Sequence, residues 1–453
     1  MANLVRYFLS KGCEVAVYDR VRSELSSRLE EEGARIIYED DPSLIPNEFL
    51  LREHTEVVFT PAIPSDNRIF SFYRDNGFEM HKRAWVLGEI TRSMKGICVA
   101  GSHGKTTTSS MIAWILKNTP SGCDAFLGGI LRNVDSNLII TPGSDFAVVE
   151  ADEYDRSFHQ LSPWIAVITS ADPDHLDIYG DEEHYLEAFS HFTSLIRPGG
   201  ALLLHTGLKV KPDVQPGVTV YTYSGSGETG DGADWRAERI TFREGELLFD
   251  LAGPDGLRID NISLGLPVRI NVDNAVAAGA AAWLAGATPD EIKSGLESFK
   301  GAKRRFEIIL RGASDGARAV LIDDYAHSPA EIEASIDSIR LLYPGKKLTV
   351  VFQPHLYSRT RDFAPEFAAA LSHADRTILT EIYPARELPI PGVDSGIILR
   401  QMSGDASLIS RKDLLDFIKI TNFEILMTLG AADLDTLLPD ITQILKHDVE
   451  GPC

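Results

Sequence analysis

The segment Val99-Ala-Gly-Ser-His-Gly-Lys-Thr-Thr-Thr108 decides which fold we expect, because it joins an apolar strand-like run to a helix-like one. Glycines let a backbone turn so tightly that its N–H groups point at phosphate oxygens, and a helix N-terminus adds free donors. Lys105 can reach the β- and γ-phosphates of a nucleotide, and the Thr106 hydroxyl can bind Mg²⁺. Val99 stands where the full Walker A pattern has glycine, so this is a shortened GxxGKTT loop. It predicts a nucleoside triphosphate site formed by Gly101, Ser102, His103, Gly104, Lys105, Thr106 and Thr107.

Apolar strand-like runs and amphipathic helical stretches alternate on both sides of this loop. The alternation predicts an α/β fold with mostly parallel sheets. We divide the chain into an N-terminal block at 1–94, a central nucleotide-binding block at 95–301 and a Rossmann-like C-terminal block at 302–453.

The N-terminal block has part of a Rossmann-like pattern, in which a first strand and a glycine-rich loop precede a helix. Here the chain begins inside that helix, which ends near Leu9, and the strand Cys13–Tyr18 follows. Asp19 ends this strand, where such units place an acid against a ribose or base. We therefore expect an N-terminally incomplete chain that lacks the first strand and its loop.

Composition excludes several classes of protein. The 453 residues allow about three domains of ~150 residues each. The 44 Lys and Arg residues against 66 Asp and Glu residues give a net charge of −22. That charge argues against binding to nucleic acid or to an anionic membrane surface.

No apolar run reaches membrane-spanning length. The four cysteines are scattered without metal or disulfide spacing, so we expect a cytoplasmic protein without membrane insertion.

Two further strand-like runs end in acidic segments. The run Phe146–Glu150 ends in a carboxylate, and a carboxylate beside a phosphate loop is well placed to hold Mg²⁺. The run 165–169 leads into Asp172, Asp174, His175 and Asp177. His175 can ligate a second Mg²⁺ or orient a phosphate at this sheet edge, or it can be a structural or exposed histidine. From the residues alone, both readings stay open.

Later segments offer further candidates. Asn271 and Asn274 open a helix, where their amides can contact adenine or ribose or simply cap the helix. The segment 300–305 is a basic cluster in which an arginine, Arg304 or Arg305, can reach a γ-phosphate, although the cluster can also be a solvated linker. Two strand ends in the C-terminal block carry His327, which can handle a proton, and Arg359 or Arg361, which can bind a carboxylate in bidentate fashion.

Taken in order, these segments resemble the Mur ligases, the ATP-dependent amide-forming enzymes of peptidoglycan synthesis. The resemblance spans nearly the whole chain. It is carried by GSHGKTTT (101–108), EADEYDRSF (150–158), DPDHLDIYG (172–180), KRRFE (303–307), DDYAHSP (323–329) and QPHLYSRTRDF (353–363). The resemblance implies three domains: a UDP-binding one, a central ATPase and a C-terminal amino-acid domain. It also implies ATP and Mg²⁺ as cofactors, UDP-N-acetylmuramate and L-alanine as substrates, and an acyl-phosphate intermediate.

The resemblance also implies a role for each matching residue. ATP phosphates are expected on Gly104 and Lys105, and Mg²⁺ on Thr106, Glu150 and His175. The remaining roles are Asn271 and Asn274 near adenine, Asp324 on the ribose, Arg305 at the γ-phosphate, Tyr325, His327 and Arg359 at L-alanine, and Asp19, Arg83 and His103 at the UDP-sugar. The residues expected to act in catalysis are Lys105, Glu150, His175, Arg305 and His327.

The chain departs from the family pattern at four places. The N-terminal GxGGxG loop is missing, Ile270 replaces a histidine before the Asn pair, Ser328 replaces the second His of HHP, and Leu356 replaces an Arg after QPH. Two alternatives stay open: a ligase that attaches a ready-made tripeptide to UDP-N-acetylmuramate, and a nucleotide-binding protein without ligase activity. An NTPase acting on nucleic acid is disfavoured by the charge. We expect a monomer or a homodimer.

Overall fold

The computed structural model describes residues 1–60, 63–64, 66–173, 176–227, 232–243, 246–385 and 387–446. The side chains of Glu24, Leu176, Asp177 and Arg243 are outside this description. The chain forms two compact units. The first comprises Met1–Glu238, Asp250–Ile262 and Asp273–Phe299, and the second comprises Arg239–Phe249, Ser263–Val272 and Lys300–Cys453.

The N-terminal part of the first unit contains two small parallel sheets, β1 with β2 and β3 with β4. Its elements are α1 (Ala2–Ser10), β1 (Ala16–Tyr18), α2 (Glu24–Glu31), β2 (Arg35–Ile37), β3 (Glu56–Phe59), α3 (Arg68–Asp75), β4 (Glu79–Lys82) and α4 (Arg83–Ser93). The apolar side of α1 is buried at Leu4 and Val5. Asp19 directly follows β1, as predicted, and is exposed.

Ten strands form the large central sheet, in the order β14-β13-β12-β11-β10-β9-β5-β8-β6-β7. Their bounds are β5 (Lys95–Ala100), β6 (Asp124–Leu131), β7 (Ser136–Ile139), β8 (Phe146–Glu150), β9 (Ile165–Ile168), β10 (Ala201–His205), β11 (Thr219–Ser224), β12 (Trp235–Arg243), β13 (Glu246–Ala252) and β14 (Arg258–Ser263). Strand β5 pairs in parallel with both β8 and β9. Its residues Ile97–Ala100 are fully buried, as expected for a parallel strand covered on both faces. The carboxyl ends of β5, β8 and β9 therefore meet at one edge of the sheet.

The helices of this part are α5 (Lys105–Lys117), α6 (Leu176–Tyr179), α7 (Glu182–Ser194), α8 (Ile270–Leu284) and α9 (Pro289–Ser298). Helix α5 begins directly after Gly104, so the loop after β5 feeds into its N-terminus. Helix α9 starts with a capping box between Thr288 and Glu291. Among the described residues, no helix combines the length and apolar character that crossing a membrane requires.

The C-terminal part of the second unit is built on a six-stranded sheet, in the order β15-β16-β20-β17-β18-β19. Its elements are β15 (Glu307–Arg311), β16 (Val320–Asp324), α10 (Pro329–Leu342), β17 (Leu348–Phe352), α11 (Tyr357–Asp362), α12 (Ala364–Leu371), β18 (Arg376–Leu379), α13 (Gly396–Leu399), β19 (Asp405–Leu408), α14 (Leu414–Ile420), β20 (Ile425–Leu429) and α15 (Leu438–Lys446). Strand β15 pairs with β16 in antiparallel fashion, and the other described pairings in this sheet are parallel. The carboxyl ends of β16, β20 and β17 are neighbours. The predicted α/β class with mostly parallel sheets is confirmed.

Short 3-10 helices connect several of these elements. They cover Pro42–Leu44, Asn47–Leu50, Arg52–His54, Tyr154–Gln160, Pro254–Gly256, Gly312–Asp315 and Leu434–Leu437. The turn at Tyr154–Gln160 follows the end of β8. It contains two left-handed residues, Asp155 with φ of 53° and Arg156 with φ of 52°.

Candidate active site

The loop between β5 and α5 has the tight backbone that the sequence predicts. Gly101 has φ of +141° and Gly104 has φ of +82°, a range that glycine adopts without strain. A Cβ atom on Gly101 would lie 2.2 Å from the Oγ1 atom of Thr169, and one on Gly104 would lie 2.8 Å from Oδ1 of Asn274. Both positions therefore require glycine for space as well as for conformation.

Two hydroxyl residues after β9 hold this loop in place. The Ser170 hydroxyl accepts a hydrogen bond from the His103 N–H at 2.7 Å and lies 3.0 Å from the Ser102 hydroxyl. The Thr169 hydroxyl contacts the carbonyl oxygens of Ala100, at 3.1 Å, and His103. The His103 side chain is exposed. The sequence analysis missed Thr169 and Ser170, whose only signal was their position at a strand end beside the loop.

Lys105 is held by a buried acid that the sequence analysis did not select. Its ammonium group donates to the Gly101 carbonyl at 2.5 Å and lies 3.0 Å from Oε1 and 2.9 Å from Oε2 of Glu153. The Glu153 side chain is 2% exposed and that of Lys105 is 18% exposed. Burial raises the pKa of Glu153, and the charge of Lys105 opposes that rise.

Glu150, at the end of β8, faces the first turn of α5. Its carboxylate accepts hydrogen bonds from the Gly128 N–H at 2.6 Å and from the Thr106 hydroxyl at 3.2 Å. The Ser109 hydroxyl is 3.4 Å away. The structure thus brings together Thr106 and Glu150, two of the three predicted Mg²⁺ ligands. His175, the third, lies outside the described residues, and Thr107 is half-buried in the first turn of α5.

The two predicted adenine contacts lie on the first turns of α8. Asn274 accepts a hydrogen bond at Oδ1 from the Thr108 hydroxyl, at 3.0 Å. The Asn271 amide donates to the Leu266 carbonyl at 3.3 Å. Asn274 is therefore hydrogen-bonded to α5, the helix that follows the phosphate loop.

Asp273, between these asparagines, links α8 to two strand ends of the first unit. Its Oδ1 atom accepts a hydrogen bond from the Gly225 N–H at 2.7 Å and lies 3.0 Å from Nε2 of His205. The hydrogen bond to Asp273 is the main reason that the pKa of His205 is raised. Neither residue was selected from the sequence.

Arg83 is the N-terminal residue of α4 and is largely withdrawn from water. Its Nε atom is buried and has no hydrogen-bond partner among the described residues. Burial lowers the pKa of Arg83, and the charges of Asp152 and Glu150 oppose this. A buried guanidinium edge without an acceptor can receive an anionic group. Asp19 is exposed and accepts a hydrogen bond from the Val21 N–H at 3.1 Å.

In the second unit, β16 ends in two buried acids. Thr428 donates to Asp323 at 2.6 Å, and Ser335 donates to Asp324. Burial raises the pKa of Asp323 to about 6 and also raises the pKa of Asp324. Asp324 is 7% exposed, so the predicted ribose contact is a buried carboxyl already held by a serine.

The adjacent residues Arg304 and Arg305 both lie over the ring of Tyr325, each 5.1 Å from its centre. Arg304 also donates to the carbonyls of Gly430 at 2.5 Å and Ala432 at 2.8 Å. Its Nε lies 3.3 Å from the Asp323 carboxylate. The backbone N–H of Arg305 donates to the Ala302 carbonyl at 3.2 Å. Its guanidinium, by contrast with that of Arg304, makes no hydrogen bond or ion pair within the described ranges. The N–H groups of the Arg305 guanidinium therefore have no acceptor among the described residues, whereas those of Arg304 donate to backbone carbonyls.

His327 and Arg359 belong to the same unit. Nδ1 of His327 lies 3.1 Å from the Tyr325 carbonyl oxygen and 3.3 Å from the Glu331 carboxylate. The Tyr325 ring lies 5.4 Å from the His327 ring. Burial is the main cause of a lowered pKa for His327, and the charge of Arg359 contributes. Arg359 lies on α11, and its side chain forms no hydrogen bond or ion pair in the described part of the chain.

Comparison with known families shows which family domains contain these residues. Three family models match the chain: the catalytic domain of the Mur ligase family over residues 1–95, the Mur ligase middle domain over 99–282, and the glutamate ligase domain of Mur ligases over 304–422. The phosphate loop and Glu150 lie in the second match, and Arg305, His327 and Arg359 lie in the third.

The chain is also similar to named proteins over 98–100% of its length. It is 51% identical to a UDP-N-acetylmuramate–L-alanine ligase of Parabacteroides distasonis, over 100% of this chain and 96% of that protein. It is 48% identical to a protein of the same name from Porphyromonas gingivalis, over 98% of this chain and 96% of that one. Its fold matches a UDP-N-acetylmuramate-alanine ligase from Thermotoga maritima with a TM-score of 0.81 and 24% identity, over 98% and 96% of the two chains. A murein peptide ligase from Psychrobacter arcticus matches with a TM-score of 0.66 and 21% identity, over 99% and 97%. The chain has the three-domain architecture of the Mur ligases and belongs to the Mur ligase family.

Proposed function

We propose that this chain is an ATP-dependent ligase that joins L-alanine to the carboxylate of UDP-N-acetylmuramate, in the synthesis of peptidoglycan precursors. The observation that carries the proposal is the 51% identity over all 453 residues to a relative that bears this name. The geometry supports the same chemistry, because a phosphate loop, a strand-end carboxylate and a cluster of Arg and His residues are all present.

ATP and Mg²⁺ fit the residues predicted to hold them. The Gly101–Gly104 backbone and Lys105 would hold the phosphates, and Asn271 and Asn274 would contact adenine, with Asp324 on the ribose. The Thr106 hydroxyl and the Glu150 carboxylate lie 3.2 Å apart and offer oxygen ligands of the kind that Mg²⁺ prefers. His175 would complete this site. When bound, Mg²⁺ neutralises phosphate charge and makes the γ-phosphoryl group a better electrophile.

The first chemical step forms an acyl phosphate. A carboxylate oxygen of the muramyl group attacks the γ-phosphorus of ATP, and the bond from that phosphorus to the bridging oxygen breaks to release ADP. Lys105 and Arg305 stabilise the negative charge that spreads over the transferring phosphoryl group. Arg305 is suited to this role because its guanidinium has unused donors, whereas Arg304 is committed to backbone carbonyls.

The second step forms the amide. The alanine amine attacks the acyl carbon, and inorganic phosphate leaves. Arg359 would bind the alanine carboxylate in bidentate fashion, with Tyr325 and His327 beside it.

For the UDP-sugar substrate, Arg83 is the strongest candidate to bind an anionic group, because its buried Nε has no partner among the described residues. Asp19 and His103 are exposed and remain candidates for the same substrate.

The deciding experiment measures phosphate release from ATP by this chain with UDP-N-acetylmuramate and Mg²⁺, with and without L-alanine. Strong alanine-dependent release supports the proposal. Release that requires the tripeptide L-alanyl-γ-D-glutamyl-meso-diaminopimelate, and not alanine, shows a peptide-recycling ligase instead. No release with either nucleophile favours a nucleotide-binding protein without ligase activity. Cytoplasmic localisation, a monomeric or homodimeric state and domain boundaries at 94 and 301 stay predictions.

A further inference from the structure

Glu331 lies in the first turn of helix α10, and its carboxylate contacts both the helix N-terminus and the imidazole of His327. The Oε2 atom of Glu331 accepts hydrogen bonds from the His327 N–H at 3.0 Å and the Ser328 N–H at 3.2 Å. In return, the Glu331 N–H donates to the Ser328 hydroxyl, which completes a capping box. The same Oε2 atom lies 3.3 Å from Nδ1 of His327. A capping residue thus also contacts an imidazole of the candidate amino-acid site.

These contacts determine which nitrogen of His327 carries the proton in the neutral ring. The second neighbour of Nδ1 is the Tyr325 carbonyl oxygen, at 3.1 Å. Both neighbours are acceptors only, since a carboxylate and a carbonyl oxygen offer no hydrogen. Nδ1 must therefore carry the hydrogen, and Nε2 must carry the lone pair. A carboxylate that orients an imidazole through Nδ1 also stabilises the imidazolium that forms when Nε2 takes a proton.

The charges around His327 keep its ring neutral near physiological pH. Burial lowers the pKa of His327, and Arg359 and Arg305 lower it further, while Glu331 opposes them. The pKa of Glu331 is held below its usual value: burial would raise it, but the imidazole of His327 when protonated, the His327 and Ser328 N–H groups and the charge of Arg305 lower it. The other ring groups facing His327 are Tyr325, at 5.4 Å, and His355, at 6.5 Å.

We propose that His327 is the general base of the second step, and that Glu331 is the positioning residue that directs its Nε2 lone pair at the amino-acid substrate. This inference rests on the proposed function. L-Alanine arrives as an ammonium ion, which has no lone pair for attack. Nε2 takes one ammonium proton, the freed amine forms the C–N bond, and the C–O bond of the acyl phosphate breaks with its electron pair on phosphate. The leaving phosphate takes the second nitrogen proton.

Other groups of this cluster are less suited to accept that proton. The arginine side chain offers only N–H donors and no acceptor, so Arg305 and Arg359 are not suited to take the proton. The His355 ring stacks on Tyr383, at 6.1 Å between centres and 12° between planes. His355 is nevertheless an imidazole in the same cluster, so His355→Asn serves as the matched comparison for His327→Asn.

The first test uses two nucleophiles that differ in their protonation. Hydroxylamine is largely unprotonated at neutral pH and needs no base to attack an acyl phosphate. In His327→Asn we expect the alanine-dependent rate to fall by about 10²–10⁴-fold while hydroxamate formation stays near wild type. Equal loss with both nucleophiles, or no loss with alanine, overturns the proposal. A larger alanine-specific loss in His355→Asn overturns it as well. If the wild-type chain reacts with neither nucleophile, it is the proposed function that fails.

The second test separates the charge of Glu331 from its capping role. Glu331→Gln keeps an oxygen that accepts from the His327 and Ser328 N–H groups, but it loses the charge that stabilises imidazolium. We expect the acidic limb of the alanine-dependent kcat profile to move to lower pH by about one unit. Ser328→Ala removes the capping hydroxyl alone and should leave that limb in place. An unmoved limb in Glu331→Gln, or equal movement in both variants, overturns the positioning role.

Discussion

The Lys105 ammonium lies between the two carboxylate oxygens of Glu153, at 3.0 Å and 2.9 Å, and that carboxylate is almost fully buried. A lysine that is expected to bind nucleotide phosphates is thus held by an internal counter-ion. The pair joins the segment after β8 to the start of α5, and β8 lies directly beside β5, the strand that leads into α5. Binding of ATP at this loop would give the ammonium group a second set of anionic partners.

Glu153→Gln should destabilise the folded protein by about 2 kcal/mol, because it leaves the buried Lys105 charge without its counter-ion. Saturating Mg-ATP should recover most of this loss, since phosphate oxygens can pair with the ammonium group. Thermal unfolding with and without Mg-ATP measures both effects. Glu89→Gln is the control, because its pair with Arg92 is exposed and should contribute little. Equal losses in both variants, or a loss that nucleotide does not reduce, would contradict this account.

Glu150→Gln should raise the Mg²⁺ concentration that supports phosphate release and lower kcat by about 10²-fold. The reason is that Gln can still accept from the Gly128 N–H but offers a metal one neutral oxygen in place of a carboxylate. Initial rates over a Mg²⁺ titration test this. Ser109→Ala is the matched control, because it removes only the 3.4 Å contact to the same carboxylate. An unchanged Mg²⁺ dependence in Glu150→Gln would remove Glu150 from the metal site.

Much of this site could be predicted because glycine-rich loops and strand-end acids are local patterns. The apolar run Phe146–Glu150 has the same bounds as β8, and the GxxGKTT pattern identified the loop whose glycines carry positive φ angles. The predicted strand from Cys13 was too long, since pairing with β2 begins only at Ala16.

The partners of these residues could not be predicted in the same way. Glu153 reaches Lys105 because β8 lies beside β5, and Ser170 reaches His103 because β9 lies on the other side of β5. Such contacts join residues about 50 to 70 positions apart, and no spacing rule in a single sequence encodes them. The same limit applies to Asp273, whose partner His205 lies on another strand end.

Asp273→Asn should make the folding stability less dependent on pH near neutrality. The folded pKa of His205 is raised above its usual value of 6.5, mainly by the hydrogen bond to Asp273. The stabilisation is therefore fully present below that value and is lost as the pH rises through the folded pKa. With partial solvent screening we expect Asp273→Asn to cost about 1 kcal/mol at about pH 5.5, and less at about pH 8.5.

Chemical unfolding at the two pH values measures this difference. His205→Gln should show the same trend, because it removes the other partner of the pair. His184→Gln is the comparison: its contact with Asp181 is solvent-exposed, so no measurable change in unfolding midpoint is expected. A loss in Asp273→Asn that is equal at both pH values would mean that the carboxylate acts through the Gly225 N–H alone.

Arg304→Ala should lower stability and Arg305→Ala should lower kcat, although the two residues are adjacent and both lie over Tyr325. Removing Arg304 leaves the Gly430 and Ala432 carbonyls without their donor and Asp323 without its counter-ion, so we expect a loss of about 2–4 kcal/mol in stability. Removing Arg305 breaks no hydrogen bond among the described residues, so stability should hardly change while kcat falls by about 10²–10³-fold. Unfolding midpoints and alanine-dependent phosphate release, measured on both variants, test the contrast. If Arg304→Ala lowered kcat by the same factor at full stability, or if Arg305→Ala kept wild-type turnover, the assignment of the γ-phosphate contact to Arg305 would be wrong.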